Sequence, residues 1–150
     1  VAPGINAKMN EIQAAYGLLQ LKHVNEYISK RKLISNIYRK QLGCVSGIRI
    51  LDEIETVEQG YSYFPILIDA SKYGLTRDQV YEGLKKHNIF GRRYFYPLIS
   101  QFPTYRGLTS AQPENLPVAT KIAEQIICLP IYPLLELETV AEICNLLIKK

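Results

Sequence analysis

The chain has 150 residues, 47% hydrophobic and 21% charged, which suits one globular domain with its own core and excludes a disordered chain. No apolar run approaches the roughly 20 residues that a membrane span needs, and the opening VAPGINAKMN is neither a signal nor a transit peptide. A net charge of +4, from 18 basic and 14 acidic residues, is too small to mark a nucleic-acid binder.

The first element predicted is long. Asn10 is a helix cap, and Glu11 in the first turn suits the helix dipole. Ile12, Tyr16, Leu19, Tyr27, Ile34, Tyr38 and Leu42 then recur at roughly helical spacing until Gly43. The pattern predicts about 30 helical residues, or ~45 Å, with a kink or break near His23 to Glu26. Its polar face is basic, and a solvated face accounts for that. Such a helix is disproportionate for a domain this size, so its apolar stripe is expected to meet something outside the chain.

Two strands follow, over 47–51 (GIRIL) and 61–69 (YSYFPILID); Pro65 suggests an edge or a bulge. A helix is predicted over 75–88, with Thr76 and Gln79 forming a capping box. A third strand is predicted over 89–97 (IFGRRYFYP), then a loop rich in Pro, Gly and Tyr. A helix over 116–128 starts on Pro117, an extended CLPIYP covers 128–133, and an amphipathic helix over 136–150 closes the chain. This order predicts an α/β, or α+β two-layer, fold: a small sheet with helices largely on one face. The three cysteines (Cys44, Cys128, Cys144) include no CxxC pair and read as free thiols of a reducing, cytoplasmic compartment.

Chemistry is sparse. His23 and His87 have no partners at ligand spacing, and no nucleophile elbow, phosphate loop or dinucleotide fingerprint is present. Two places remain. Asn6 and Lys8 stand just ahead of the first helix, where an amide N–H can meet an anionic oxygen; on residue chemistry alone an ordinary turn Asn beside a solvated Lys is the favoured alternative. The stretch GRRYFYPLISQFPTYRG gathers Arg92, Arg93, Tyr94, Tyr96, Tyr105 and Arg106 around two prolines. Arginine forks suit phosphate, and tyrosines offer a stacking face and a hydroxyl. The alternative is a strand with alternating faces and an aromatic-pinned loop.

Taken together, GINAKMNEIQAAYGLLQL, GRRYFYPLISQFPTY and LPVATKIAEQIICLPIYP resemble three segments, in the same order, of the DegT/DnrJ/StrS-type sugar aminotransferases. The first resembles that family's GYN-x-[RK]-M-x-[DE]-x-QAA-x-GL-x-QL segment. The resemblance implies the small C-terminal domain of a fold-type I, pyridoxal phosphate (PLP) enzyme, with the long helix leading into it. The large domain and the lysine that anchors the cofactor would then lie upstream; Lys8 matches another position. It also implies a homodimer in which Asn6 reaches the cofactor phosphate of the neighbouring subunit. Arg92, Arg93, Tyr94 and Tyr96 would border the cleft for a nucleotide-linked keto sugar, with glutamate as the expected amino donor. The RRYFYPL form resembles the branch acting on dTDP-linked keto-6-deoxyhexoses. Ile5, Ala7 and Ile99 depart, respectively, from the family's frequent Tyr, aromatic or Gly, and His, and Ile99 argues against a His contact with the sugar. Two other readings stay open at this stage: a related sugar dehydratase, in which His replaces the anchoring lysine, and a free-standing binding or assembly module without catalysis.

Overall fold

The computed structural model describes residues 7–149. Asn10 caps the first helix, α1 (Glu11–Leu21), through a full capping box: Gln13 N–H donates to Asn10 Oδ1 at 2.9 Å, and Asn10 N–H donates to Gln13 Oε1 at 3.1 Å. The predicted 30-residue helix is broken in its middle, beside the expected His23 to Glu26, into two helices. Lys22 and His23 close α1 with short three-residue bonds, to Leu19 O and Gln20 O, and α2 (Val24–Leu42) starts afresh without a side-chain cap. The two halves differ in what they bury. α2 buries Ile34, Tyr38 and Leu42, four apart along one stripe; α1 buries nothing, and Ile12 stands 82% exposed.

Three antiparallel strands form the sheet: β1 (Ile48–Ile50), β2 (Phe64–Ile68) and β3 (Ile126–Leu129), in the order β1-β2-β3. Pro65 therefore lies on the central strand and not on an edge, contrary to the sequence reading. The register explains why it is tolerated. Pro65 faces Cys128, and Cys128 uses both its N–H and its C=O on Arg92, at 2.8 and 2.9 Å. The Pro65–Cys128 pair is therefore a non-hydrogen-bonded one, and the proline nitrogen points toward β1. There β1 has already ended, because Ile50 pairs with Ile66, so no ladder bond is lost.

Residues 89–97 do not form the predicted strand; they contribute the single Arg92–Cys128 bridge. The third strand comes instead from Ile126–Leu129, where the predicted helix was expected to continue. That helix, α5 (Pro117–Gln125), stops because the next four residues are buried throughout and pair with β2. Between lie α3 (Ala70–Tyr73), which the sequence reading missed, and α4 (Arg77–Lys86), whose Thr76–Gln79 capping box is present as expected. Three short 3₁₀ turns divide the loop 97–115, and α6 (Leu137–Ile148) closes the chain.

The core lies on one face of the sheet. Ile48, Ile66, Ile68 and Ile127 meet Tyr38 of α2, Val80 and Leu84 of α4, and Val140 and Ile143 of α6. Two buried phenols pin its ends: Tyr38 OH donates to Pro130 O at 2.9 Å and Tyr73 OH donates to Leu147 O at 2.7 Å. Leu67 and Ile126 alternate to the other face, beside α5.

Two expectations follow from this packing. Gly47 sits at φ +82°, and a Cβ there would lie 2.3 Å from Tyr73 N, whereas Gly83 inside α4 has open space around it. Gly47→Ala should destabilise the fold by ~1–3 kcal/mol, and Gly83→Ala should stabilise it by ~0.5–1 kcal/mol; urea unfolding of the two variants checks the opposite signs. Burial pushes the Cys128 and Cys144 thiols up to about 11, while Cys44 is exposed. At pH 8 a thiol reagent should therefore modify Cys44 quickly and the other two only after denaturation, read by mass spectrometry.

Candidate functional site

A cleft of about 470 Å3 opens where the loop from β1 to β2 passes α2 and the edge of β3; Tyr63, Tyr94, Arg39 and Glu53 are among its lining residues. Arg39 is held in place on one wall. Its Nε donates to Glu53 Oε1 and its Nη1 to Leu51 O, each at 2.9 Å, and its guanidinium lies over the Phe64 ring at 5.7 Å. On the other wall Tyr94 meets Tyr63, with ring centroids 5.1 Å apart, and stacks on Phe95 at 4.1 Å. The floor includes Pro65 and Cys128. Burial outweighs the pull of nearby Arg92 on the Cys128 thiol and keeps it neutral, so the floor carries no charge.

The bridge to Cys128 sets where the two arginines go. Gly91 permits the approach to β3, since a Cβ there would press within 3.0 Å of the Ile127 side chain. Arg92 shares a sheet face with its partner Cys128 and with Pro65. Its Nη1 donates to Tyr63 OH at 3.3 Å and its guanidinium lies 5.8 Å from that ring. No carboxylate among the described residues pairs with it, so its charge is open to an anion.

Arg93 turns the other way. Its guanidinium lies 4.2 Å from the Tyr96 ring centroid and 4.7 Å from that of Tyr81, and its Nη1 donates to Asp78 Oδ1 at 3.3 Å. The four residues singled out in the sequence thus divide into two neighbouring groups. Arg92 and Tyr94 stand by the cleft with Tyr63, while Arg93 and Tyr96 sit against the start of α4. Asn6 lies outside the described residues, and Lys8 is exposed ahead of α1.

The sequence reading missed Tyr63 and Arg77. Tyr63 sits two residues before Pro65, so strand alternation places both on one face. Arg77, 2% exposed, gave no local signal, because an arginine in a helix's first turn is ordinarily solvated. Among the described residues no group of three or more His, Cys, Asp or Glu side chains could hold a metal ion, and no helix is long and apolar enough to cross a membrane.

Comparison with known proteins supplies the context for this wall of arginines and tyrosines. The chain is 54% identical over 149 residues to the dTDP-4-amino-4,6-dideoxy-D-glucose transaminase of Escherichia coli, covering 99% of this chain and 40% of that protein. It is 40% identical over 129 residues to the protein of the same name from Shigella dysenteriae, covering 86% of this chain and 34% of that one. Among solved structures, DesI in the presence of its TDP-sugar product superposes with a TM-score of 0.87 at 29% identity, over 97% of this chain and 36% of DesI. Helicobacter pylori PseC, an aminotransferase of pseudoaminic acid biosynthesis, gives 0.83 at 27%, over 99% of this chain and 39% of PseC. Streptococcus pneumoniae Spr1654, solved in PLP and PMP forms, gives 0.84 at 25% for the PLP form, over 99% of this chain and 37% of that one. The chain spans about two fifths of the length of the curated relatives it matches. The DegT/DnrJ/EryC1/StrS aminotransferase family matches residues 1–148, a span that takes in every helix and strand described above, and the chain belongs to that family.

Proposed function

We propose that the chain is the C-terminal portion of a cytoplasmic, homodimeric, PLP-dependent aminotransferase. Its leading helix joins it to a large cofactor-binding domain, and the whole enzyme transfers an amino group from glutamate to C4 of a dTDP-linked 4-keto-6-deoxyhexose. The observation that carries this reading is the 54% identity to the Escherichia coli transaminase across 149 residues. The bare apolar face of α1 supports it, since exposed apolar patches of this kind mark an interface.

The described residues fit one wall of such a site and not the cofactor's covalent anchor, for no lysine lines the cleft. When bound, PLP supplies the electron sink for amino exchange. This chain's own part is to bind and orient. Arg92 and Arg93 offer guanidinium forks to the diphosphate, and Tyr94 and Tyr96 offer ring faces and hydroxyls to the base and sugar. Asn6 donates its amide N–H to the cofactor phosphate of the neighbouring subunit.

The test of the reaction is to incubate the complete polypeptide with PLP, glutamate and the dTDP-linked 4-keto-6-deoxyhexose. Mass spectrometry should show the amino sugar, and 2-oxoglutarate should form in equal amount. Loss of water from the sugar without nitrogen gain would establish the dehydratase reading instead. Binding of dTDP with no turnover would establish the module.

The role of Asn6 has its own signature. Asn6→Ala should lower PLP retention by about one to two orders of magnitude, as expected for a lost hydrogen bond to a charged group. A mixed dimer, with Asn6→Ala in one subunit and the anchoring lysine replaced in the other, should keep about half of wild-type activity, because both defects fall in one site. Activity no higher than that of an Asn6→Ala site would place the contact within its own subunit.

A further inference from the structure

Only Ser35 and Arg77 are buried polar residues among those described. Burying a guanidinium is weak as a source of stability, since an apolar side chain would serve as well. Its contacts join three segments. Arg77 Nη1 donates to Ile126 O at 3.0 Å, where α5 passes into β3. Its guanidinium lies 5.1 Å from the Tyr96 ring centroid. Its Nε lies 2.9 Å from Asp78 Oδ1, yet off the N–H direction, so that contact is an ion pair without a hydrogen bond.

The same two acceptors serve Arg93. Asp78 Oδ1 also pairs with Arg93 Nη1, at 3.3 Å, and the Tyr96 ring also meets Arg93, at 4.2 Å. Arg77, Asp78, Arg93 and Tyr96 therefore close a circuit of two cations, one carboxylate and one ring. Asp78 is nearer to the buried arginine. It is hydrogen-bonded to Arg93, however, so both cations share it. One positive charge is left over in the cluster, and Arg93 is the more exposed of the two cations.

We propose that Arg77 is a positioning residue that shares Asp78 with Arg93, so that the carboxylate neutralises Arg93 only in part, and that keeps Tyr96 beneath it, so that Arg93 presents an oriented, charged fork to the diphosphate of a nucleotide sugar. The inference rests on the assignment of Arg93 to the nucleotide-sugar cleft. It adds that the strength of that contact is set by a residue the ligand never touches. Without Arg77, Asp78 has Arg93 as its one cation in the circuit, and the cluster has no net charge.

The experiment uses the complete polypeptide, with dTDP and thymidine as probes, titrated by calorimetry. Arg77→Met should weaken dTDP about three- to fivefold, a modest effect because the Asp78 carboxylate is half exposed and screened; thymidine, which lacks phosphate, should be unaffected. Arg77→Met combined with Asp78→Asn restores one net positive charge and should restore dTDP binding, which a purely structural role for Arg77 does not predict. Asp78→Asn alone leaves two cations and should tighten dTDP by a similar factor, and this exposed substitution decides the matter if Arg77→Met fails to fold. Unchanged dTDP binding in Arg77→Met, no recovery in the double variant, or no tightening in Asp78→Asn would overturn the inference. If Arg93→Met itself leaves dTDP binding unchanged, the assignment of Arg93 to the cleft fails, and the inference falls with it. If Arg93→Met weakens dTDP while the Arg77 and Asp78 variants do not behave as stated, only the role of Arg77 is refuted.

Discussion

Two main-chain hydrogen bonds between Arg92 and Cys128 fix where the candidate site is. They attach an irregular segment to the free edge of β3 at one point and leave its neighbours unpaired. Adjacent residues of an extended chain project to opposite sides, so this one bridge sends Arg92 toward Tyr63 and Arg93 toward α4. It also engages both polar groups of Cys128, which is why a proline can face that residue on the central strand. A change that loosened the bridge would disturb the two arginine groups together, although they have no side-chain contact in common.

Local signals were legible in the sequence and distant ones were not. Asn10, the Thr76–Gln79 box and the Ile34–Tyr38–Leu42 stripe each involve residues within one or two turns, and each is present as read. Ile126 to Leu129 is a short apolar run that suits a helix end or a buried strand equally, and pairing with Phe64 to Leu67 decides it. Residues 89–97 look like a strand because they alternate, but the edge of β3 engages only Arg92. The site shows the same division. The residue types suited to a phosphate-bearing ligand were readable in GRRYFY, whereas their split into two groups is set by the bridge from Arg92 to the distant Cys128. The burial of Arg77 depends on Ile126, 49 positions away.

The contrast between α1 and α2 bears on how the domain holds together. An isolated helix of 11 residues is marginal in water, and α1 buries none of its side chains within the described residues. Its capping box satisfies N-terminal donors but supplies no apolar contact. α2, by contrast, contributes Ile34, Tyr38 and Leu42 to the shared core. The junction at Lys22 and His23 therefore separates a helix fixed by this domain from one whose apolar surface stays exposed among the described residues.

Pro65 has one more effect, on the shape of the sheet. The next pair beyond Ile50 would be Leu51 with Pro65, a hydrogen-bonded pair in which proline can accept one bond but cannot donate the other. Leu51 O accepts from Arg39 Nη1 instead, and pairing between β1 and β2 is weakened at that point. The chain from Leu51 to Tyr63 runs as a loop, and that loop forms much of the rim of the cleft. A single missing hydrogen atom thus favours an open mouth over one closed into sheet.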